Sequence, residues 1–264
     1  MSHERYASWL ETAVRLVRRA GTELRRRWTT QHTVKQKGFR NIVTEADVAA
    51  EAVILKGLRA AYPEHAITSE EAGADPLDRR VRWFVDPLDG TTNFSRHNPN
   101  FCVSLAALEA GRPVVGVVYD PLRDHCFAAV AGGGATLNGA AIHTSGRTAV
   151  AEMVFATDWP RAYKLRKRHA ALIVRLLTEA RTLRCLGSAA LNIAYVAAGW
   201  FDLFLAQHLS AWDQAAALLL VQEAGGSVQT LSGVPWTSEA RDPLIGATST
   251  LVTACRTMIR EEVR

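Results

Sequence analysis

Four short windows of this 264-residue chain hold the acidic residues whose types and spacing could do chemistry together. The densest is Trp83-Phe84-Val85-Asp86-Pro87-Leu88-Asp89-Gly90-Thr91-Thr92-Asn93-Phe94. Its aromatic and β-branched start reads as a strand that delivers Asp86 at its C-terminal end, where open sheets place ligands. Pro87 fixes φ and helps turn the chain, bringing Asp89 back beside Asp86. Two carboxylates held at one point repel, and a hard divalent cation with oxygen ligands relieves them. Gly90 lets the backbone approach a ligand closely, and the amides of Gly90 and Thr91 face a phosphate if a helix starts there. The same Asp-Pro-x-Asp-Gly spacing also makes an ordinary turn.

The other three windows are weaker one by one. Glu70-Glu71 follows a short strand and precedes a loop at Gly73. Asp213 follows Trp212 at the start of a helix, where an acid also serves as a cap. Asp47, in Asn41-Ile42-Val43-Thr44-Glu45-Ala46-Asp47, sits in a first helical turn, an ordinary place for an acid. Gly132-Gly133-Gly134 has no following Lys-Ser/Thr, which excludes Walker chemistry and leaves a hairpin-entry loop. No H-E-x-x-H or G-x-S-x-G motif occurs, and His208 reads as a loop histidine near Asp213.

The elements that must position these residues follow from periodicity. Residues 4–30 and 45–61 read as helices, with turn material at Lys37-Gly38-Phe39-Arg40-Asn41 between them. Strands are expected at 66–68, 81–85, 101–108, 114–119 and 125–130, joined by tight turns, and Asn138-Gly139 signals a two-residue hairpin. This half, residues 1–146, reads as an α+β lobe with an antiparallel sheet and most of the acidic candidates. From about residue 147 strands and helices alternate: strand 153–156, helix 164–179, strand 182–186, a helix from Gly187-Ser188-Ala189-Ala190 to 198, strand 201–206, and helix 212–223 ending at Gly225-Gly226. Residues 147–264 therefore read as an α/β lobe that supplies Asp213. No linker separates the two, so they are expected to pack tightly.

Composition sets the class. Hydrophobic residues are 48% and charged residues 22%, which excludes wholesale disorder. Four scattered cysteines, Cys102, Cys126, Cys185 and Cys255, make neither a zinc ribbon nor a disulfide framework and suit a reducing cytosol. No run approaches the roughly 18 apolar residues of a membrane span, and the N-terminus has no signal-peptide core, so a cytoplasmic protein without membrane contact is expected. The net charge of +5 admits nucleic acid or anionic metabolites as partners. The arginine clusters at 15–27 and 161–168 read as solvated helix faces, and no interleaved aromatic platform is apparent, so nucleic acid is not the expected partner.

Taken together, IVTEAD (42–47), SEE (69–71), WFVDPLDGTTNF (83–94), GSAALNIAYVAAG (187–199) and WDQAAALLLVQEAGG (212–226) resemble the inositol monophosphatase family of magnesium-dependent, lithium-sensitive phosphatases. The resemblance runs from about Val34 to Gly246. It implies a layered αβαβα sandwich of the inositol monophosphatase/fructose-1,6-bisphosphatase type, a homodimer, and two to three Mg²⁺ ions per site. It implies that Glu70, Asp86 and the Leu88 carbonyl hold one ion, that Asp86, Asp89 and Asp213 hold a second, and that Glu70 faces a weaker third. By the same resemblance, Thr91 and Glu70 position the attacking water, with Asp47 behind Thr91. Gly90 and Thr91 cradle the phosphate, while Asp89, Gly187, Ser188, Ala189, position 206 and Asp213 line the substrate. The implied reaction is hydrolysis of small sugar or polyol monophosphates by metal-activated water, which fits the acidic windows chemically.

One position departs from the pattern. Inositol-directed members carry a glutamate seven residues before the WD aspartate, and here that residue is Ala206. A methyl group accepts no hydrogen bond, so an apolar, roomier wall with weak discrimination among phosphomonoesters is expected. Histidinol phosphate is the alternative substrate. A basic scaffold that binds nucleic acid or protein and retains the metal site is the alternative outside enzymes.

Overall fold

A computed structural model describes residues 2–39, 41–77 and 79–260. Helix α1 (Ser2–Trp28) buries Trp9, Ala13, Leu16, Val17, Ala20 and Leu24, a stripe at helical spacing. A two-stranded ribbon follows, β1 (Val34–Gly38) antiparallel to β2 (Asn41–Thr44). Turn material was expected at 37–41, of which Lys37 and Gly38 belong to β1 and Asn41 to β2, while Arg40 lies outside the described residues. Every residue of β1 is exposed, so no hydrophobic alternation marks the strand in the sequence. Helix α2 (Glu45–Ala61) starts at Thr44 and buries Asp47, Ala50, Glu51, Ile54 and Leu58 along one face.

The larger sheet comprises β3 (Ala66–Ser69), β4 (Gly73–Ala74), β5 (Val81–Asp89), β6 (Cys102–Glu109), β7 (Arg112–Asp120), β8 (His125–Val130), β9 (Ala135–Leu137) and β10 (Ala140–Ile142), with the short helix α3 (Thr91–Ser95) after β5. Its spatial order is β10-β9-β8-β7-β6-β5-β3-β4. The hairpin turn at Asn138-Gly139 has positive φ at both residues, as a turn matched to strand twist requires. The expectation of a purely antiparallel sheet is corrected at one pair: β3 runs parallel to β5. The intervening chain crosses from the end of one strand to the start of the other, and it is this crossover that puts the C-termini of β3 and β5 side by side.

The second half adds a 3₁₀ turn (Val150–Glu152), β11 (Val154–Thr157), α4 (Tyr163–Glu179), β12 (Thr182–Arg184), α5 (Ala189–Ala197), β13 (Leu203–Leu205), α6 (Ala211–Glu223), β14 (Ser227–Thr230), β15 (Pro243–Gly246) and α7 (Ser249–Arg260). Its sheet has the order β12-β11-β13-β15-β14. The β12-β11-β13 part is parallel, while β15 pairs antiparallel with both neighbours. Five layers result. Helices α1 and α2 cover one face of the first sheet, and Trp83, Val103, Leu105 and Val117 fill that interface. Helices α5 and α6 form a shared middle layer between the sheets. Helices α4 and α7 close the outer face of the second sheet over Phe155, Leu203 and Leu244. This is the expected layered α/β sandwich. Among the described residues, no helix is long and apolar enough to cross a membrane.

The middle layer is tight. Gly116 of β7 faces α6 so closely that an added Cβ would lie 2.4 Å from the Ala216 carbonyl oxygen. A backbone group cannot rotate away as a side chain does, so the helix itself must shift. Gly116→Ala is expected to destabilise the fold by about 1–3 kcal/mol, read as a drop of several degrees in Tm by circular dichroism. An unchanged Tm would show that the layers slide freely.

Candidate active site

Asp86 and Asp89 are three apart, so an unbroken strand would point them to opposite faces. The ladder with β6 prevents this: Asp86 pairs with Ser104 and Asp89 with Cys102, so β5 carries one extra residue over that stretch. This bulge contains Pro87, whose missing N–H is tolerated there, and it turns both carboxylates to the same side. The strand thus continues through Pro87 to Asp89, whereas the sequence suggested that it ends at Val85 and turns. The Leu88 N–H donates to Asp86 Oδ1 at 3.0 Å and fixes that side chain.

Glu70 reaches the same point from β3. Ser69 pairs with Val85 in the parallel register, and the Glu70 N–H donates to the Val85 carbonyl at 3.1 Å. Glu70 therefore leaves the sheet beside Asp86. Its turn is held from behind by Glu51 of α2, which accepts hydrogen bonds from the Ser69 hydroxyl and, at 3.0 Å, from the Ala72 N–H. Asp213 arrives from the third position of α6 and accepts from the Ser210 N–H at 2.5 Å. The helix start is pinned to β6 by Ser104 Oγ, which donates to the Trp212 carbonyl at 3.1 Å. One oxygen each of Glu70, Asp86 and Asp213 then lie within 4.8 Å of one another.

Asp89 stands beside this trio, tied to the middle layer. Its Oδ2 accepts from the Ser188 hydroxyl and the Ala190 N–H, both at 2.7 Å, and faces the Cys102 thiol at 3.8 Å. Ser188 caps α5, so this carboxylate joins the first sheet to the helix that follows Gly187 and Ser188. Asn93 reinforces the junction by donating to the carbonyls of Asn100 (2.6 Å) and Leu186 (2.7 Å). Gly90 adopts φ 97°, and a Cβ there would come within 2.8 Å of the Asn100 carbonyl oxygen, so only glycine suits the turn into α3.

Thr91 and Asp47 form a second unit. Thr91 Oγ1 lies 3.0 Å from Asp47 Oδ1 and 3.1 Å from the Leu88 carbonyl. Asp47 Oδ2 in turn accepts from the Thr44 N–H (2.8 Å) and hydroxyl (2.6 Å). One helix-capping acid thus closes α2 and orients a hydroxyl on the next element. At the mouth, Lys37 of the ribbon lies 3.2 Å from Glu70 and also pairs with Glu71, while Arg161 approaches Glu70 to 3.9 Å.

Electrostatics follow from this crowding. Burial, then the charges of Glu70, Asp89 and Asp213, hold Asp86 well above the usual carboxylate range. Burial with the Asp89 and Glu70 charges pushes Asp213 up to about 8. Burial raises Asp89 to about 6 against the downward pull of the Ser188 and Ala190 donors. Asp47 is likewise raised by burial to about 6, with the Thr44 and Thr91 hydrogen bonds opposing. The donor set is entirely oxygen and rich in negative charge, which fits a hard divalent cation such as Mg²⁺.

The structure brings Glu70, Asp86, Asp213, Asp89, Thr91 and Asp47 to one end of the first sheet, with Leu88, Gly90, Gly187, Ser188 and Ala189 around them. It does not make Ala206 an open wall. That residue is wholly buried, with its methyl in the core against α5 and α6. His208 lies in an exposed loop, and the glycines at 132 and 134 donate to Glu223 as part of the β8–β9 turn. Sequence reading missed Glu51 and Asp158. Glu51 shares the stripe of Asp47, Ile54 and Leu58, so an acid on an otherwise buried face was the available signal. Asp158 follows β11, and burial with the Asp89 charge pushes it up to about 7.

An acid whose pKa is raised by folding binds its proton more tightly folded than unfolded. Its contribution to stability is full below the unfolded pKa and fades as pH rises through the folded one. Asp158, raised to about 7, and Asp213, raised to about 8, should therefore still be costing the cation-free protein stability as pH rises from about 6.5 to about 8. His169, pulled down to about 4 by burial, titrates below that window. Scanning calorimetry in EDTA should show Tm falling across it, and Mg²⁺ should raise Tm more at the upper end. Equal Mg²⁺ effects at both ends would contradict the proposed crowding.

Comparison with known proteins identifies the family and the fold. The profile of the inositol monophosphatase family matches residues 5–263. Nus factor SuhB of Salmonella typhimurium is 44% identical over 228 residues, 85% of each chain, and Nus factor SuhB of Escherichia coli K12 is 43% identical over the same share. Among solved structures, the extragenic suppressor protein suhB of Bartonella henselae superposes with a TM-score of 0.92 at 32% identity, covering 96% of this chain and 99% of that one. An inositol monophosphatase from Thermotoga maritima gives 0.89 at 34% identity, covering 97% and 98%. Family profile, relatives and layered fold concur: the chain belongs to the inositol monophosphatase family.

Proposed function

We propose that this chain is a Mg²⁺-dependent phosphomonoesterase that hydrolyses small polyol monophosphates by direct attack of water. The observation that carries the reading is the carboxylate cluster of buried Asp86 with half-buried Glu70 and Asp213, with Asp89 beside it and the Thr91–Asp47 pair at its edge. Glu70, Asp86 and the Leu88 carbonyl would hold one cation, and Asp86, Asp89 and Asp213 a second, with Glu70 also facing a weaker third. Such cations, when bound, neutralise phosphate oxygens and acidify water.

The chain's own groups do the rest. The amides of Gly90 and Thr91 orient the phosphate at the turn into α3. Thr91 Oγ1, aligned by Asp47, and the Glu70 carboxylate accept hydrogen bonds from the attacking water and set its direction. Asp47, with its pKa raised to about 6, is a competent acceptor for the Thr91 proton near neutrality. The leaving alcohol lies toward Gly187, Ser188 and Ala189 at the start of α5. A homodimer, a division into lobes 1–146 and 147–264 and a cytoplasmic setting belong to the same proposal. Light scattering at micromolar concentration checks the first, and a mass of one chain would refute it.

The name Nus factor, borne by the Salmonella and Escherichia relatives, favours a second reading: a factor that binds nucleic acid or protein and keeps the cation site. One surface feature supports it. Around the start of α4, Arg166 lies over exposed Trp159 and Lys167 over exposed Tyr163, an alternation of rings and cations that the sequence reading did not recognise.

Phosphate release from inositol 1-phosphate, histidinol phosphate, fructose 1,6-bisphosphate and 3′-phosphoadenosine 5′-phosphate tests the first reading. Turnover is expected with Mg²⁺ and not in excess EDTA, and lithium should inhibit at millimolar levels. Asp213→Asn should lower turnover about a hundredfold by weakening cation binding. Thr91→Ala should lower kcat by about 10²–10⁴ with KM nearly unchanged. Full turnover in EDTA would sink the mechanism, and salt-sensitive RNA binding without turnover would favour the second reading.

A further inference from the structure

Asp158 has no part in the machinery above, yet it stands where the chain departs from its family. Strands β11 and β13 run parallel, with Ala156 beside Phe204 and Thr157 beside Leu205. Asp158 and Ala206 follow directly on these strands, so the register carried one residue past its last pair would set them side by side. Strand alternation turns both toward the side of Ala156 and Phe204, which pack in the core formed with α5 and α6. An acid absent from position 206 is thus present just past the end of the neighbouring strand.

Its surroundings suit an acceptor for a bound alcohol. The Gly187 N–H donates to Asp158 Oδ1 at 3.1 Å, and Asn192 Nδ2 donates to Oδ2 at 3.0 Å. Each carboxylate oxygen keeps a further acceptor site. Asn192 is wholly buried, and its Oδ1 has no hydrogen-bond partner among the described residues. Asp158 feels the charge of Asp89, which puts it within electrostatic reach of the carboxylate cluster. Two acceptors in want of donors therefore stand beside Gly187, where the leaving alcohol would lie. Lys37 and Arg161 bring positive charge to the same mouth. Both are paired with Glu70, so the groups left to meet the alcohol are the acceptors of Asp158 and Asn192, which hydroxyls fit as donors.

We propose that Asp158, supported by Asn192, takes over the hydroxyl recognition that position 206 lacks and selects monophosphates of polyols over those of alcohols without further hydroxyls. The inference rests on the phosphatase reading and deepens it. It also replaces the weak discrimination expected from Ala206 alone. The Ala206 methyl is sealed in the core, and the recognising acid has moved one strand over.

The test compares kcat/KM for inositol 1-phosphate, histidinol phosphate and p-nitrophenyl phosphate in the Mg²⁺-loaded wild type, Asp158→Asn and Asp158→Ala. Asp158→Asn keeps an acceptor for the Gly187 N–H, and Asn192 can turn its amide to meet the new one, so this variant preserves the local fold. The ratio of inositol 1-phosphate to p-nitrophenyl phosphate should fall about 10- to 100-fold, the range of a lost hydrogen bond to a charged group. p-Nitrophenyl phosphate turnover should fall several-fold less than that of inositol 1-phosphate, because its leaving group brings no further hydroxyl to Asp158. A merely structural role through Gly187 would lower all substrates alike. Such a uniform loss, an unchanged ratio, or a loss confined to histidinol phosphate would each overturn the proposal. Failure of the wild type to hydrolyse any of the three would instead overturn the phosphatase reading, and this inference with it.

Discussion

Mutual repulsion among carboxylates crowded around buried Asp86 is the constraint around which this molecule is arranged. Glu70, Asp86, Asp89 and Asp213 converge on one end of a sheet, where burial removes the water that would screen them. A chain left to itself would splay these groups apart. It does not, because each is fastened by backbone it cannot leave: a bulge for Asp86 and Asp89, a parallel register for Glu70, a helix cap for Asp213. The folded state thereby holds a concentration of negative charge that a hard cation would relieve.

That fastening explains the layered architecture. Helices α5 and α6 are packed between two sheets, so their N-termini cannot drift from the end of the first sheet. Ser188 and Ala190 grip Asp89 from α5, and Ser104 grips the start of α6. Gly116 permits the close contact of β7 with α6. Small residues in α5 and α6, many of them alanine, serve the same end: they let backbone layers approach and keep the acidic end in register.

The capping acids show how stability and chemistry share residues. Asp47 caps α2 through Thr44 and aligns Thr91, while Asp213 caps α6 and completes the cluster. A first-turn acid is ordinary in a helix. What sets these two apart is burial at the end of a sheet beside other acids, a property of the assembled layers and not of either helix.

Much of this was legible in the chain itself. The stripes of α1 and α2, the hairpin at Asn138-Gly139 and the start of α6 at Trp212-Asp213 rest on local periodicity and turn chemistry, which act over a few residues. The window at Asp86–Asp89 could be picked out because two carboxylates flank a Pro and meet a Gly directly after a strand-forming run. The exposed strand β1 left no pattern, because a strand without a buried face needs no alternation. Whether Asp86 and Asp89 share a face depended on a bulge against β6, and the meeting of Glu70 with Asp86 on a parallel pairing across the crossover. The placing of Asp158 beside Ala206 depended on the register of β11 and β13, two strands separated by a helix, a strand and a second helix. Sequence determines which groups are available and which local elements carry them. Distances between those groups come from pairing between distant segments, which only the closed tertiary structure decides.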